Sequence, residues 1–195
     1  MNKIEMNDAH PGPDDALLIV DVQNDFLPGG SLAVPGSEKI LPLLNRYIAA
    51  FASLPVIATR DWHPERHCSF KTEGGSWPRH CVADTIGAAF PLGLHLPNSA
   101  LIVSKATEVN REAYSGFQGT NLAILLDERA IRRLFVGGLA TEYCVLYTVR
   151  DALKMGFLVM LLEDVVCAVD PQNGERAKRE MVGLGAQCIA LKETL

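Results

Sequence analysis

Residues Ala16 to Val22 read ALLIVDV. Five consecutive apolar residues with β-branched Ile19 and Val20, ended by Asp21, describe a strand buried on both faces. A Pro/Gly-rich loop, FLPGGSLAVPGS (Phe26 to Ser37), follows it, and Ser37 is placed to cap a helix over about 38–54. PVIATRD (Pro55 to Asp61) repeats the strand pattern. ALIVSK (Ala100 to Lys105), RRLFVGG (Arg132 to Gly138), FLVMLLED (Phe157 to Asp164) and AQCIAL (Ala186 to Leu191) repeat it again. Helical stretches at about 120–130, 141–156 and 171–183 separate the later strands. This alternation predicts an α/β fold: a six-stranded, mainly parallel sheet with helices on both faces, a Rossmann-like three-layer arrangement.

The chain of 195 residues suits one domain. Residues 1–15 are polar and read as a loose leader, leaving a single domain over 16–195. Its rhythm is broken at about 62–99 by a long insertion rich in His, Trp, Pro and Gly, and a loop of that length in a compact domain is usually functional. A net charge of -5 without a basic run argues against nucleic acid or an anionic membrane as partner. No stretch approaches the roughly 20 apolar residues of a membrane helix, and none makes a signal peptide. The five cysteines are odd in number and lack CxxC spacing, which points to reduced thiols and a cytoplasmic protein. The missing CxxC also speaks against a thiol redox or structural zinc protein.

In parallel sheets ligands bind beyond the carboxyl ends of the strands. There the sequence places Asp21, Asp61 and Lys105, and Gly137-Gly138 leads on to Cys144 in a predicted first helical turn. A helix N-terminus and a nearby cation favour a thiolate, so Cys144 is a candidate nucleophile with Lys105 as the cation and Asp21 as acid/base. Spacing alone leaves blander readings open: a packed cysteine, a solvated lysine and a turn aspartate. Glu142 opposes a thiolate and has to point away. Asp61 and His63, two apart in extended chain, face the same side and form half of a metal site. His80 is the third candidate ligand from the long loop, with His67 and Glu73 as further candidates, against the alternative of surface histidines. Phe26, Trp62, Trp77 and Tyr114 in rim loops suit a flat ring as substrate.

The runs DVQNDFLPGGSL (Asp21 to Leu32), RDWHPERHCSF (Arg60 to Phe70), GGSWPRHCV (Gly74 to Val82), REAYSGF (Arg111 to Phe117) and GGLATEYCV (Gly137 to Val145) resemble the nicotinamidases (pyrazinamidases) of the isochorismatase-like cysteine hydrolases. The resemblance covers nearly the whole chain from about residue 16. It implies an isochorismatase-like fold and hydrolysis of nicotinamide to nicotinate and ammonia through a cysteine thioester. Pyrazinamide is a second expected substrate, and NAD salvage the setting. It implies an Asp21–Lys105–Cys144 triad and an oxyanion hole from the N–H groups of Ala140 and Cys144, beyond a cis peptide at Leu139–Ala140. Ring-binding aromatics fall on Phe26 and Trp77, with Tyr114 nearby. One divalent metal ion per chain falls on Asp61, His63 and His80, zinc first, with iron or manganese as alternatives. His67 and Glu73 match positions that ligate in some members only. Glu142 stands where the family usually has Asp, which keeps the charge. A homo-oligomer is left open. Competing readings are an amidohydrolase of ureido or carbamoyl substrates without metal, which would not need Asp61, His63 and His80; an isochorismatase, which lacks the cysteine; and a binding domain with a lost site, whereas every site position is present.

Overall fold

The computed structural model describes residues 4, 5 and 10–190. The rest of the expected leader, and Leu191 at the end of the sixth expected strand, lie outside them. Among the described residues the chain runs β1 (Ile4–Glu5), β2 (Asp15–Val20), α1 (Ile40–Ala50), β3 (Val56–Asp61), β4 (Leu101–Lys105), α2 (Leu122–Asp127), β5 (Arg133–Leu139), α3 (Leu146–Lys154), β6 (Leu158–Cys167), α4 (Pro171–Gly183) and β7 (Gln187–Ala190). The strands form one sheet in the order β1-β7-β6-β5-β2-β3-β4, and every pairing is parallel. The six expected strands are all there. The addition is β1, two residues within the expected leader, held at the sheet edge by the register Ile4↔Ile189; a pair of residues is too short for any periodicity to announce.

The run that opened the sequence reading explains the layers. Along β2 the side chains alternate: Leu17 and Ile19 join one buried cluster, Ala16, Leu18 and Val20 the other. The first cluster contains Leu44, Tyr47 and Ile48 of α1. The second contains Leu122 and Leu126 of α2, Val149 and Ala152 of α3, and Ala177 and Met181 of α4. Both faces are covered, so β2 is apolar without interruption.

Two local expectations change. Ser37 does not cap a helix: it is buried, and its hydroxyl donates to the Phe26 carbonyl at 2.9 Å, with a 3-10 turn at Ser37–Lys39 leading into α1. The helix expected from residue 141 begins at Leu146, because Thr141–Val145 form a π turn with Tyr143 at φ -119°, ψ -106°. By contrast α4 has the expected limits, with Pro171 in its first turn and the Asp170 carboxylate accepting from Asn173 N–H at 2.8 Å. Among the described residues no helix is long and apolar enough to cross a membrane.

The strand order reverses between β2 and β5: the chain builds β3 and β4 on one side of that pair and β6 and β7 on the other. The chain leaves β2 for α1 on one face and β5 for α3 on the other, and a crevice opens beyond the carboxyl ends of this pair. Gly138 lets β5 pass close to β2 at this point. Its φ is +126°, and a Cβ would stand 2.7 Å from Val20 N and 2.8 Å from Val20 C. Gly138→Ala is therefore expected to cost more than about 3 kcal/mol, roughly 6–12 °C in melting temperature for a chain of this size. Gly183→Ala, at the end of α4 with open space around the new methyl, serves as control and should be neutral or stabilising. Thermal denaturation of both variants checks the contrast.

Candidate active site

Four adjacent strands, in the order β5-β2-β3-β4, deliver the polar residues to one crevice. Asp21 follows β2 directly, with φ 51° turning its side chain inward. Asp61 and Lys105 end β3 and β4 and are register partners, so their side chains emerge side by side. Cys144 comes from the turn after β5, just before α3. All four are buried.

Lys105 Nζ is the hub. It donates to Asp61 Oδ1 at 2.5 Å, to the Ala113 carbonyl at 3.0 Å and to Cys144 Sγ at 3.4 Å. It also lies 2.9 Å from Asp21 Oδ2. Burial alone would lower the lysine's pKa, but Asp21 and Asp61 outweigh it and hold the pKa well above the ordinary value, so Lys105 is a fixed ammonium. Asp61, Asp21 and Cys144 would by their donor atoms make a cation site. The Lys105 ammonium is the cation that fills it.

Asp21 Oδ1 accepts the Thr59 hydroxyl at 2.6 Å. Its Oδ2 pairs with Lys105, and the carboxylate lies within reach of the Cys144 thiol. Burial raises the Asp21 pKa, against the lowering effect of Lys105. Burial also pushes the Cys144 thiol well up; Lys105 opposes this, and the Asp21 and Asp61 carboxylates add to it. Burial first, and the two carboxylates with it, thus keep the proton on sulfur at rest. What the arrangement supplies is a base in reach. Glu142 points away as required: its carboxylate accepts from the N–H groups of Val169 and Asp170 at 3.3 and 2.8 Å, ahead of α4.

The histidines stand on the other side of Asp61. His63 Nε2 faces His80 Nε2 at 3.3 Å and Asp61 Oδ2 at 3.7 Å. The outer nitrogens face carbonyls: His63 Nδ1 lies 3.3 Å from Ala106 O and His80 Nδ1 2.8 Å from Pro78 O. A ring nitrogen against a carbonyl carries the proton, so hydrogen bonding assigns both Nε2 atoms as lone pairs. Burial lowers the His63 pKa to about 4, which keeps that ring neutral. The Nε2 atoms of two imidazoles and a carboxylate oxygen thus converge. That donor set fits one divalent ion with coordination positions left open. The carboxylate itself stays ionised: burial raises its pKa, but Lys105, His63 and His80 bring it below the ordinary value.

The two further candidate ligands do not join this cluster. His67 is buried and stacks on His63 with ring centroids 4.2 Å apart. Both of its nitrogens are engaged elsewhere, Nδ1 with Ser69 Oγ at 2.7 Å and Nε2 with the Arg111 carbonyl at 3.0 Å. Glu73 is drawn outward by Arg66, which donates to it at 3.0 Å.

Phe26, Trp77 and Tyr114 line one pocket together with Asp61, His63, His80, Ala140 and Cys144. Trp77 Nε1–H donates to the Tyr114 hydroxyl at 2.9 Å, so these two rings hold each other. Trp62 is elsewhere: it packs against the sheet's core with the Arg60 guanidinium 3.5 Å over its ring. The Leu139–Ala140 peptide is cis, and Ala140 and Cys144 both line the pocket. Three neighbours escaped the sequence reading. Tyr143 lines the pocket and meets Trp77 edge-on at 5.1 Å; a regular helix there would have hidden it. Thr59 and Gln23 hold Asp21 and Asp61 from behind. The only available signal for Gln23 was a polar residue directly after a buried strand.

Comparison with known proteins adds four likenesses. A model of the isochorismatase domain matches residues 15–193. A nicotinamidase of Acinetobacter baylyi is 36% identical, over 92% of this chain and 94% of the relative. Among solved structures, the pyrazinamidase of Pyrococcus horikoshii in complex with zinc superposes with a TM-score of 0.89 at 50% identity, covering 92% of this chain and 100% of that one. PnC1 from L. infantum in complex with nicotinate superposes with a TM-score of 0.86 at 38% identity, covering 93% and 98%.

Proposed function

This chain belongs to the isochorismatase family, and on that premise we propose that it hydrolyses nicotinamide to nicotinate and ammonia, with pyrazinamide as a second substrate. The observation that carries the reading is that a buried thiol with an adjacent carboxylate and ammonium shares one aromatic-lined pocket with the Asp61–His63–His80 donor set. The similarity to a nicotinamidase and to a nicotinate complex supports the substrate.

In this reading Phe26 and Trp77 take the faces of the pyridine ring and present the carboxamide carbon to Cys144. Asp61, His63 and His80 would hold one divalent ion, which when bound supplies a Lewis acid to anchor the ring nitrogen. Zinc is the first candidate, supported by the zinc complex of the Pyrococcus horikoshii relative. Asp21 Oδ2 takes the Cys144 proton as sulfur attacks the carbonyl carbon. Lys105 stabilises the anionic sulfur and keeps Asp21 in place. The N–H groups of Ala140 and Cys144 receive the oxyanion; one such donor is worth roughly 2.7–4 kcal/mol. Protonated Asp21 then gives its proton to the leaving nitrogen, which departs as ammonia and leaves a nicotinoyl thioester. Asp21 deprotonates a water molecule that attacks the thioester, the C–S bond breaks as that proton returns to sulfur, and the released acid ionises to nicotinate, giving its remaining proton to solvent or ammonia. The five free thiols support a reducing, cytoplasmic setting, and the product suits a salvage route toward NAD.

A substrate panel tests the reading. Ammonia release is expected from nicotinamide and pyrazinamide, and only background from an N-carbamoyl amino acid; the reverse ranking would overturn it. The acid limb of kcat/KM follows from Asp21. A base must be ionised, so activity is lost as pH falls through its pKa, and burial places that midpoint above the ordinary 3.8. An acid limb at or below 3.8 would remove Asp21 from the role of base. His63→Ala is expected to lose bound metal and raise KM at least about 10-fold, which metal analysis beside steady-state kinetics measures.

A further inference from the structure

Gln23 is buried two residues beyond Asp21, and its side-chain amide is saturated by backbone. Oε1 accepts the Asp61 N–H at 2.8 Å. Nε2 donates to the Asp61 carbonyl and to the Ala88 carbonyl, each at 2.8 Å. One side chain thus grips Asp61 by both of its backbone polar groups, as a neighbouring strand would. The place where it does so is telling. The β2–β3 ladder runs to Ile19↔Ala58, and Asp21 N–H still donates to Thr59 O at 3.2 Å, but beyond it the β2 backbone turns away. The Gln23 amide supplies the next rung. Its third bond ties in Ala88 of the insertion at about 62–99, and the neighbouring N–H of Asn24 donates to Ala89 O at 3.0 Å.

Asp61 is the residue common to both halves of the pocket, with Oδ1 on Lys105 and Oδ2 toward His63. We propose that Gln23 is the positioning residue that sets the Asp61 carboxylate for the divalent ion and for Lys105 at once. The proposal rests on the functional reading above, because it takes Asp61 as a metal ligand. Gln23 itself touches neither substrate nor reacting atoms and acts through Asp61. Loss of an outer partner of a metal ligand typically costs 10–100-fold in metal affinity or activity.

The test compares wild type with Gln23→Met, which keeps length and volume and removes both hydrogen-bonding functions, and with Gln23→Asn, which keeps the amide and shortens its reach. Zinc affinity is measured by competition with a chelating dye at a temperature where circular dichroism shows each variant folded, and kcat and KM for nicotinamide are measured at saturating zinc. The expected result is a 10–100-fold weaker zinc affinity for Gln23→Met and a lower kcat that excess zinc does not restore. Gln23→Asn should fall between. A folded Gln23→Met with wild-type zinc affinity and kinetics would overturn the proposal. Should Gln23→Met fail to fold, the wild type decides: the Gln23 side-chain amide resonances should shift on zinc addition in NMR spectra, and an unmoved pair would overturn it. Zinc affinity that falls in a protein inactive on nicotinamide would sink the substrate reading and leave the positioning role intact. A wild type that binds no zinc would overturn both.

Discussion

Cys144→Ala is expected to lower nicotinamide turnover by at least about 10⁴-fold, the scale seen when one member of a unit that acts together is removed. The substitution deletes one sulfur from a buried position and leaves Lys105 with its bonds to Asp61 and Ala113. The fold and the Asp61–His63–His80 cluster are therefore expected to survive, and nicotinamide should still bind. Steady-state kinetics give the first quantity, and equilibrium dialysis against nicotinamide with zinc present gives the second. Turnover within about 100-fold of wild type would contradict a thioester route, because water attacking directly would not need the sulfur.

Lys105→Met carries the second large effect, on stability as much as on rate. In the native protein one ammonium serves two buried carboxylates, Asp21 at 2.9 Å and Asp61 at 2.5 Å. Removing it leaves two charges without a partner, which typically costs about 3–5 kcal/mol. The cost depends on pH with a definite sign. Without Lys105 the folded-state pKa of a carboxylate here rises above its unfolded value. The destabilisation is then absent below the unfolded value and grows as pH rises toward the folded one. Urea melts of metal-stripped wild type and variant should differ by several kcal/mol at pH 8 and by clearly less at pH 5. An equal loss at both pH values would mean that the lysine's aliphatic packing, not its charge, is what the site uses. Turnover should fall together with stability, since Asp21 would be protonated and the thiolate unsupported.

The sheet was legible because burial on both faces writes itself as uninterrupted apolar runs: ALLIVDV, VIATRD and LFVGGL each appear as a strand. The crevice followed from topology, since a parallel sheet sends every strand's carboxyl end to the same side. That reasoning singled out Asp21, Asp61, Lys105 and Cys144, and the structure brings their side chains together. Less was legible where one residue's state depends on another's. The helix start and Lys105 favour a thiolate at Cys144, but only the structure shows how strongly burial, with the Asp21 and Asp61 carboxylates, opposes it. His67 reads like its neighbours in sequence, and only its bonds to Ser69 and Arg111 separate it from His63 and His80. The π turn at Thr141–Val145, which brings Tyr143 to the pocket, has the apolar spacing of an ordinary helix. Gln23 was invisible as a functional residue because its work is done on another residue's backbone.

The central claim is that the cysteine centre and the metal centre form one site acting on one substrate. Ammonia release from nicotinamide, followed while zinc is titrated into stripped protein and counted per chain on the same samples, tests it most directly. The account predicts no significant release from the stripped protein and activity rising in proportion to zinc up to one ion per chain. Full activity in stripped protein, or none in protein holding one zinc per chain, would contradict it.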